Sequence, residues 1–256
     1  MPYYQDDYKI EENDTSNSSC FDIQVYCPEI ANAAKAGQFV HIQCEGKILR
    51  RPISICEIDK KAGTIRLVFD IRGDGTRWLS KQEEGAFLNI LGPLGNGFNL
   101  NETAKKALFV GGGMGVPPLL EAAKAFKGKA DAILGFKCID NSMLIDDFND
   151  VCSKVIVMSD DGSLGEKGFV TSLLCDRITK NKYDVVYSCG PTAMLKSVSE
   201  ITLENNIACF VSMEERMACG VGACLVCACK VKENDKEAYK HVCKDGPVFN
   251  AKEIVW

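Results

Sequence analysis

The chain has 256 residues, 46% hydrophobic and 25% charged, with a formal net charge of −5. That is enough for one large domain or a few small ones; with an acidic balance and no block of Lys or Arg, it carries no electrostatic footprint for nucleic acid. No apolar stretch approaches the roughly 18 residues of a membrane-spanning helix. The polar start MPYYQDDYKIEEND lacks the basic residues and apolar run of a secretory leader, so the expectation is a cytoplasmic protein.

Residues 1–100 read as short strands. QFVHIQC, RPISICEI and TIRLVFDI alternate apolar and polar positions, with glycine breaks at CEGK, KKAG and RGDG between them. Helical periodicity is weak, and a small antiparallel barrel or sandwich is the natural packing. His41, inside the first of these runs, reads as structural. In LRRPISI, Arg51 offers a fork of donors suited to phosphate and Ser54 a hydroxyl. Three residues apart on a strand, they face opposite sides unless Pro52 distorts the run. IRGDGTRWLS carries Gly73, Gly75 and Thr76, a candidate backbone nest for an anion. Taken bare, both stretches also fit ordinary strand and turn chemistry.

Residues 101–209 alternate strands with helices. KKALFVGGG, ADAILGFK, SKVIVMS and YDVVYSCGP read as buried strands; PPLLEAAKAFKG, GFVTSLLCDRI and TAMLKSVSEITLENN read as helices. That order implies a parallel sheet with helices on both faces. The first strand, a glycine loop (Gly111, Gly112, Gly113, Met114, Gly115) and a helix follow one another, the context in which a glycine loop cradles a pyrophosphate. G-x-G-x-x-G is not matched: its sixth position is Val116 counted from Gly111 and Pro118 counted from Gly113. A tight turn without ligand is the competing reading. Cys189, Gly190 and Pro191 end another strand and would face the same crevice. Asp160 and Asp161 follow a third strand; they suit a ribose hydroxyl and oppose a 2′-phosphate, or are simply solvated.

Residues 210–256 are cysteine-rich, and so short a segment cannot bury a large core alone. The chain has 14 cysteines and 2 histidines. Cys20, Cys27, Cys44, Cys56, Cys138, Cys152, Cys175 and Cys209 are scattered and read as small buried residues. Cys219, Cys224, Cys227 and Cys243 are spaced C-x4-C-x2-C-x15-C, and the first three match the plant-type [2Fe–2S] run. Gly220, Gly222 and Ala223 allow the backbone to approach a cluster. Zinc is the rival metal, although only Cys224 and Cys227 form a C-x2-C knuckle. Cys229 reads as buried rather than as a ligand.

These parts in this order, above all EERMACGVGACLVCACK with HVCKDGPVF and then RPIS, resemble the electron-transfer subunits of NAD-dependent (class 1B) dihydroorotate dehydrogenases, within the ferredoxin-reductase superfamily. The resemblance runs from GQFVHIQC to DGPVF; residues 1–20 match no motif. It implies an antiparallel β-barrel FAD domain (1–100), an α/β parallel-sheet NAD domain (101–209) and a small [2Fe–2S] module (210–256). It implies that Arg51, Pro52, Ile53, Ser54, Val68, Phe69, Asp70, Gly75 and Thr76 hold FAD. By the same likeness, Gly111 to Gly115 with Cys189, Gly190 and Pro191 form the NAD site, and the four cysteines carry the cluster. The broader superfamily usually has Tyr where Ile53 stands. The partner implied is an FMN-containing TIM-barrel subunit that oxidises dihydroorotate, in a heterotetramer of two of each chain, serving pyrimidine (UMP) biosynthesis. Two alternatives remain. One is a sister subunit of a ferredoxin:NADP or sulfide/sulfite oxidoreductase; the other is a non-catalytic zinc-binding or redox-sensing protein, which would be colourless where a flavin and iron–sulfur protein is yellow-brown.

Overall fold

A computed structural model describes residues 3–17 and 20–256. The first part is a closed barrel of strands β1 (Tyr4–Asn17), β2 (Cys20–Tyr26), β3 (Phe39–Ile42), β4 (Arg51–Asp59), β5 (Thr64–Phe69) and β6 (Phe87–Leu94), with short helices α1 (Pro28–Ala33) and α2 (Asp74–Leu79) between strands. The strand order is β1-β2-β5-β4-β3-β6, all antiparallel, closed by β1 against β6. Strand β1 serves two neighbours, pairing Tyr4 to Lys9 with β6 and continuing from Lys9 along β2. The inner face of the expected strands is present: Ile55, Ile65 and Leu67 meet Val25, Ile42, Leu88 and Ile90 in a core with no solvent exposure. Strand β5 is buried on both faces except at Arg66, because its outer face, with Val68, packs on the second part of the chain. One expectation is corrected here. RGDGTRWLS is not only a turn but forms α2, with Gly73 as its N-cap in extended backbone.

The second part contains β7 (Lys106–Gly112), α3 (Pro117–Ala125), β8 (Lys129–Phe136), α4 (Ile145–Val151), β9 (Lys154–Ser159), β10 (Glu166–Lys167), α5 (Val170–Lys180), β11 (Val185–Cys189), α6 (Thr192–Glu204) and β12 (Ala208–Ser212). Beyond them lie β13 (Ala228–Glu233), β14 (Lys236–His241) and β15 (Val248–Asn250). The large sheet runs β10-β9-β8-β7-β11-β12-β15, parallel except for β15. Two consequences bear on the expected division at 209/210. It falls inside β12, and the cysteine segment returns a strand, β15, to the same sheet. The segment therefore does not bury itself: Cys227, Cys229, Val231, Val242, Phe249 and Ile254 share one core with Val110 and Val211 of the sheet, Leu195 of α6, and Phe39 and Leu94 of the barrel.

Barrel and sheet are pinned together at Arg66 on β5. Its guanidinium takes Asp22 through two nitrogens at 2.7 and 2.9 Å, and also bonds Glu57 and Asp147 of α4. Lys124 of α3 completes the group by pairing with Glu57 at 2.7 Å. Among the scattered cysteines, Cys20, Cys27, Cys44, Cys56, Cys152 and Cys209 are buried as expected; Cys138 is half-buried and Cys175 is exposed on α5, contrary to expectation. Among the described residues no helix is long and apolar enough to cross a membrane.

Candidate functional site

A cleft of about 540 Å³ opens between the barrel and the parallel sheet. It lies at the carboxyl ends of β7 and β11, the neighbours at which the strand order reverses, where open α/β sheets present ligands. The barrel contributes Arg51, Pro52, Ile53 and Ser54 from β4, Val68, Phe69 and Asp70 from β5, and Thr76 from α2. The sheet contributes Gly112, Gly113, Met114, Gly115, Cys189, Gly190 and Pro191. Residues singled out in two separate parts of the sequence thus face one cavity.

Arg51 and Ser54 share that cavity despite their spacing. Arg51 is the first residue of β4, and its Nη1 donates to the carbonyls of Leu49 at 2.6 Å and Arg50 at 3.3 Å, folding the side chain round the strand end. Gly75 and Gly111 do not line the cleft. A Cβ at Gly75 would fall 2.3 Å from Arg51 Nε, so the glycine makes room for the guanidinium. Gly111 lies inside β7, packed against Val116 and Leu119. The anion nest expected around Gly73 and Thr76 is filled by the chain itself. Thr76 Oγ1 accepts the N–H of Arg72 at 2.8 Å and of Gly73 at 3.3 Å.

The glycines of the sheet loops have a packing role of their own. A Cβ at Gly115 would stand 2.3 Å from the Cys189 carbonyl, so the two loops touch only because no side chain intervenes. Helices α3 and α6 start at these loops; α3 opens with Pro117 and Pro118, which carry no N–H, so the free N-terminal N–H groups that favour negative charge there belong to α6. Burial pushes the Cys189 thiol up to about 12, keeping it protonated although the Ser212 hydroxyl works the other way. A second recess of about 430 Å³ shares Asp70, Arg72, Gly113 and Met114 with the cleft and adds Lys137 and Asn141. Asp160 and Asp161 line neither. Asp161 instead accepts the backbone N–H and the hydroxyl of Ser163 at 2.9 and 2.7 Å, closing its own turn.

Sequence reasoning missed Phe39, Thr192, Ser212, Met213, Glu214, Glu215 and Met217, which also line the cleft. Phe39 sits in a recognised strand, and facing could have been counted from the alternation. The residues from Ser212 onward follow β12, whose pairing to β11 alone brings them in.

The cysteine loop is wrapped by its own amides. Cys219 Sγ accepts from the N–H of Val221, Ala223 and Cys224 at 3.4, 3.3 and 3.4 Å. Cys243 Sγ accepts from Gly222 at 3.1 Å, and Cys227 Sγ from Cys243 at 3.4 Å. Gly220 and Gly222 turn the chain at φ of 74° and 81°. Burial works to raise the Cys219 thiol, but these donors outweigh it and hold it down at about 6. Burial and the neighbouring Cys227 sulfur push Cys243 up to about 12. The sulfurs meet in pairs, Cys219 with Cys224 and Cys227 with Cys243. Among the described residues no three His, Cys, Asp or Glu converge on a single ion. A two-iron cluster takes four thiolates shared between two irons, so pairs of sulfurs ringed by N–H donors fit it; a closed zinc site needs four ligands about one point.

Comparison with solved structures gives the class. The chain superposes with a TM-score of 0.88, at 30% identity over 97% of this chain and 90% of the other, on a chain of the NADH-dependent reduced ferredoxin-NADP oxidoreductase. A ferredoxin NADP+ reductase from Neisseria gonorrhoeae, solved with FAD and NADP, matches at TM-score 0.65 and 17% identity, covering 80% and 92%, a likeness of fold. This is the ferredoxin-reductase-like fold. Residues 214–255 match the family described as the iron–sulfur cluster binding domain of dihydroorotate dehydrogenase B. The dihydroorotate dehydrogenase B (NAD(+)) electron transfer subunit of Caldanaerobacter subterraneus is 46% identical over 86% of this chain and 87% of its own length. Its namesake from Fusobacterium nucleatum is 38% identical over 97% and 98%. The chain belongs to the family of dihydroorotate dehydrogenase B electron transfer subunits.

Proposed function

We propose that this chain carries electrons from a catalytic partner, which oxidises dihydroorotate, to NAD+ in pyrimidine biosynthesis. The observation that carries the reading is the single cleft in which the RPIS strand faces the GGGMG and CGP loops, with the four-cysteine loop docked on the same barrel. FAD occupies the barrel side, held by Arg51 to Ser54, Val68 to Asp70 and Thr76, with Gly75 supporting Arg51. NAD occupies the sheet side at Gly112 to Gly115 and Cys189 to Pro191, with Gly111 behind. Cys219, Cys224, Cys227 and Cys243 hold a [2Fe–2S] cluster. Bound there, the flavin supplies the exchange between a one-electron carrier and the two-electron nicotinamide.

The chain's own residues bind, orient and exclude water. Arg51, folded over the strand end, presents its remaining donors to phosphate. Ser54 offers a hydroxyl on the face shared with Phe39. The uncharged Cys189 thiol and the start of α6 complete a wall that accepts a dinucleotide without adding negative charge at the pyrophosphate. The Cys219 amides lower the cost of thiolate charge before any metal arrives.

Dihydroorotate oxidation belongs to an FMN-bearing TIM-barrel subunit, two copies of which join two of this chain in the cytoplasm. Cys224→Ser should abolish dihydroorotate-dependent NAD+ reduction in the assembled complex. It should leave NADH oxidation by an artificial flavin-directed acceptor near the wild-type rate. Undiminished dihydroorotate-to-NAD+ transfer in that variant would refute the wiring. The close superposition on a ferredoxin-NADP oxidoreductase chain favours a second reading, a sister subunit with another partner. Reduction of NADP+ from ferredoxin, with none from dihydroorotate, would select it.

A further inference from the structure

His41 has no solvent exposure, and neither ring nitrogen has a hydrogen-bond partner of ordinary geometry. A buried donor and acceptor left unpaired are costly, so a group meant to meet them is the expected explanation. The ring lies between the two cofactor-binding parts. On β3 it is paired with Pro52 of the RPIS strand and with Leu91 of β6. It follows Phe39, a cleft residue, by two positions and so shares its face of the strand. Its Nδ1 edge meets the cysteine loop: a Cβ at Gly220 would fall 2.6 Å from Nδ1, and the Cys219 backbone faces the ring. The Gly220 turn, at φ 74°, is what permits this approach. From behind, Arg50 Nη1 fixes the strand by donating to the His41 carbonyl at 3.1 Å and to the Asn89 carbonyl at 3.1 Å. Whatever its charge, the imidazole carries at least one N–H.

The rest of the docking is apolar packing on Phe39 and Leu94 together with backbone and amide contacts. Asn96, at the end of the barrel, donates through Nδ2 to the carbonyls of Lys244 and Asp245 at 2.8 and 3.2 Å, beside Cys243. Those contacts place the module; at the Gly220 turn the barrel presents the apolar Leu94 and the polar His41, so a hydrogen-bonding side chain reaches the turn from His41.

We infer that His41 is a positioning residue: its imidazole N–H is presented to the Cys219–Gly220 turn, where it seats the cluster loop on the flavin strand and favours the reduced cluster. This rests on the reading that Cys219, Cys224, Cys227 and Cys243 hold a [2Fe–2S] cluster. Donors directed at cluster sulfurs and their loop stabilise the extra negative charge of the reduced state and raise its potential.

The test is a redox titration of the full chain, followed by the EPR signal of the reduced cluster, in wild type, His41→Gln and His41→Leu. Gln keeps an N–H donor of similar reach; Leu fills the space without one. Flavin absorbance and thermal unfolding report whether each variant is folded, and His41→Phe replaces Leu if Leu fails to fold. The expected result is a cluster about tenfold harder to reduce in the apolar variant, near 59 mV more negative for one electron, with Gln restoring most of the difference. Equal potentials in all folded variants would overturn the inference, as would an equal shift in Gln and Leu, which would mark a purely steric role. A wild-type chain with no reduced-cluster signal would overturn the cluster assignment itself, and this inference with it.

Discussion

The barrel and the cysteine module meet on the same face of the molecule but hold together differently. The barrel closes on itself around Val25, Ile42, Ile55, Ile65, Leu67, Leu88 and Ile90, all without exposure, and completes its ladder with β1 against β6. The module has one hairpin, β13 with β14, and lends its few apolar side chains to the core of its neighbours. Its cysteine loop is ordered by N–H groups aimed at sulfur, and Leu225 and Val226 at its tip stay exposed. A hydrophobic core tolerates the loss of any one polar group. A loop whose polar groups converge on thiolates needs what the thiolates bind.

Stripping the cluster is the largest way to break that contrast. Anaerobic chelation should make the 219–226 loop open to protease while the barrel and parallel sheet stay protected. Equal protection of the loop with and without iron would show that the module folds by packing alone. Gly220→Ala comes next. It places a side chain at φ 74° and within 2.6 Å of His41, and should cost roughly 2 to 3 kcal/mol by strain and displacement, with reduced iron content. Arg66→Leu strands Asp22 and Asp147 without their shared cation. Because the group is partly solvated, about 2 kcal/mol is expected in denaturant unfolding, with cluster EPR unchanged. The smallest effect is expected from Tyr187→Phe. The hydroxyl accepts from Asn101 N at 3.0 Å and donates to the Asn99 carbonyl at 3.3 Å, and its loss should cost about 1 kcal/mol. Neither flavin nor iron content should follow.

What could be read from the sequence follows the same division. Strands β4, β5, β7, β8, β9 and β11 and helices α3, α5 and α6 lie where period and punctuation put them, because each buries a clear face. Strand β1 was invisible because YQDDYKIEEND is mostly polar and exposed, with Tyr8 and Ile10 buried and Tyr4 half-buried against the core. Helix α2 hid behind glycines. The β13–β14 hairpin had a signal that went unused: Asn234 and Asp235 both adopt positive φ, at 49° and 62°, the two-residue turn such pairs favour. In the cleft, motif residues were legible, but Thr76, read as part of an anion nest, closes its own turn with its hydroxyl. The run from Ser212 to Met217 was not legible, since it carries no motif and reaches the cleft only through β12 pairing beside β11. His41 was legible as a strand residue and not as a neighbour of the cluster loop, because that contact joins positions far apart in the chain.

The most direct measurement is made on material from the native source. The tagged chain is purified anaerobically with whatever accompanies it, and NAD+ reduction is followed on adding dihydroorotate. The account predicts a yellow-brown complex with an FMN-bearing companion that reduces NAD+ from dihydroorotate. A coloured preparation that reduces nicotinamide only from ferredoxin or a sulfur donor would contradict it.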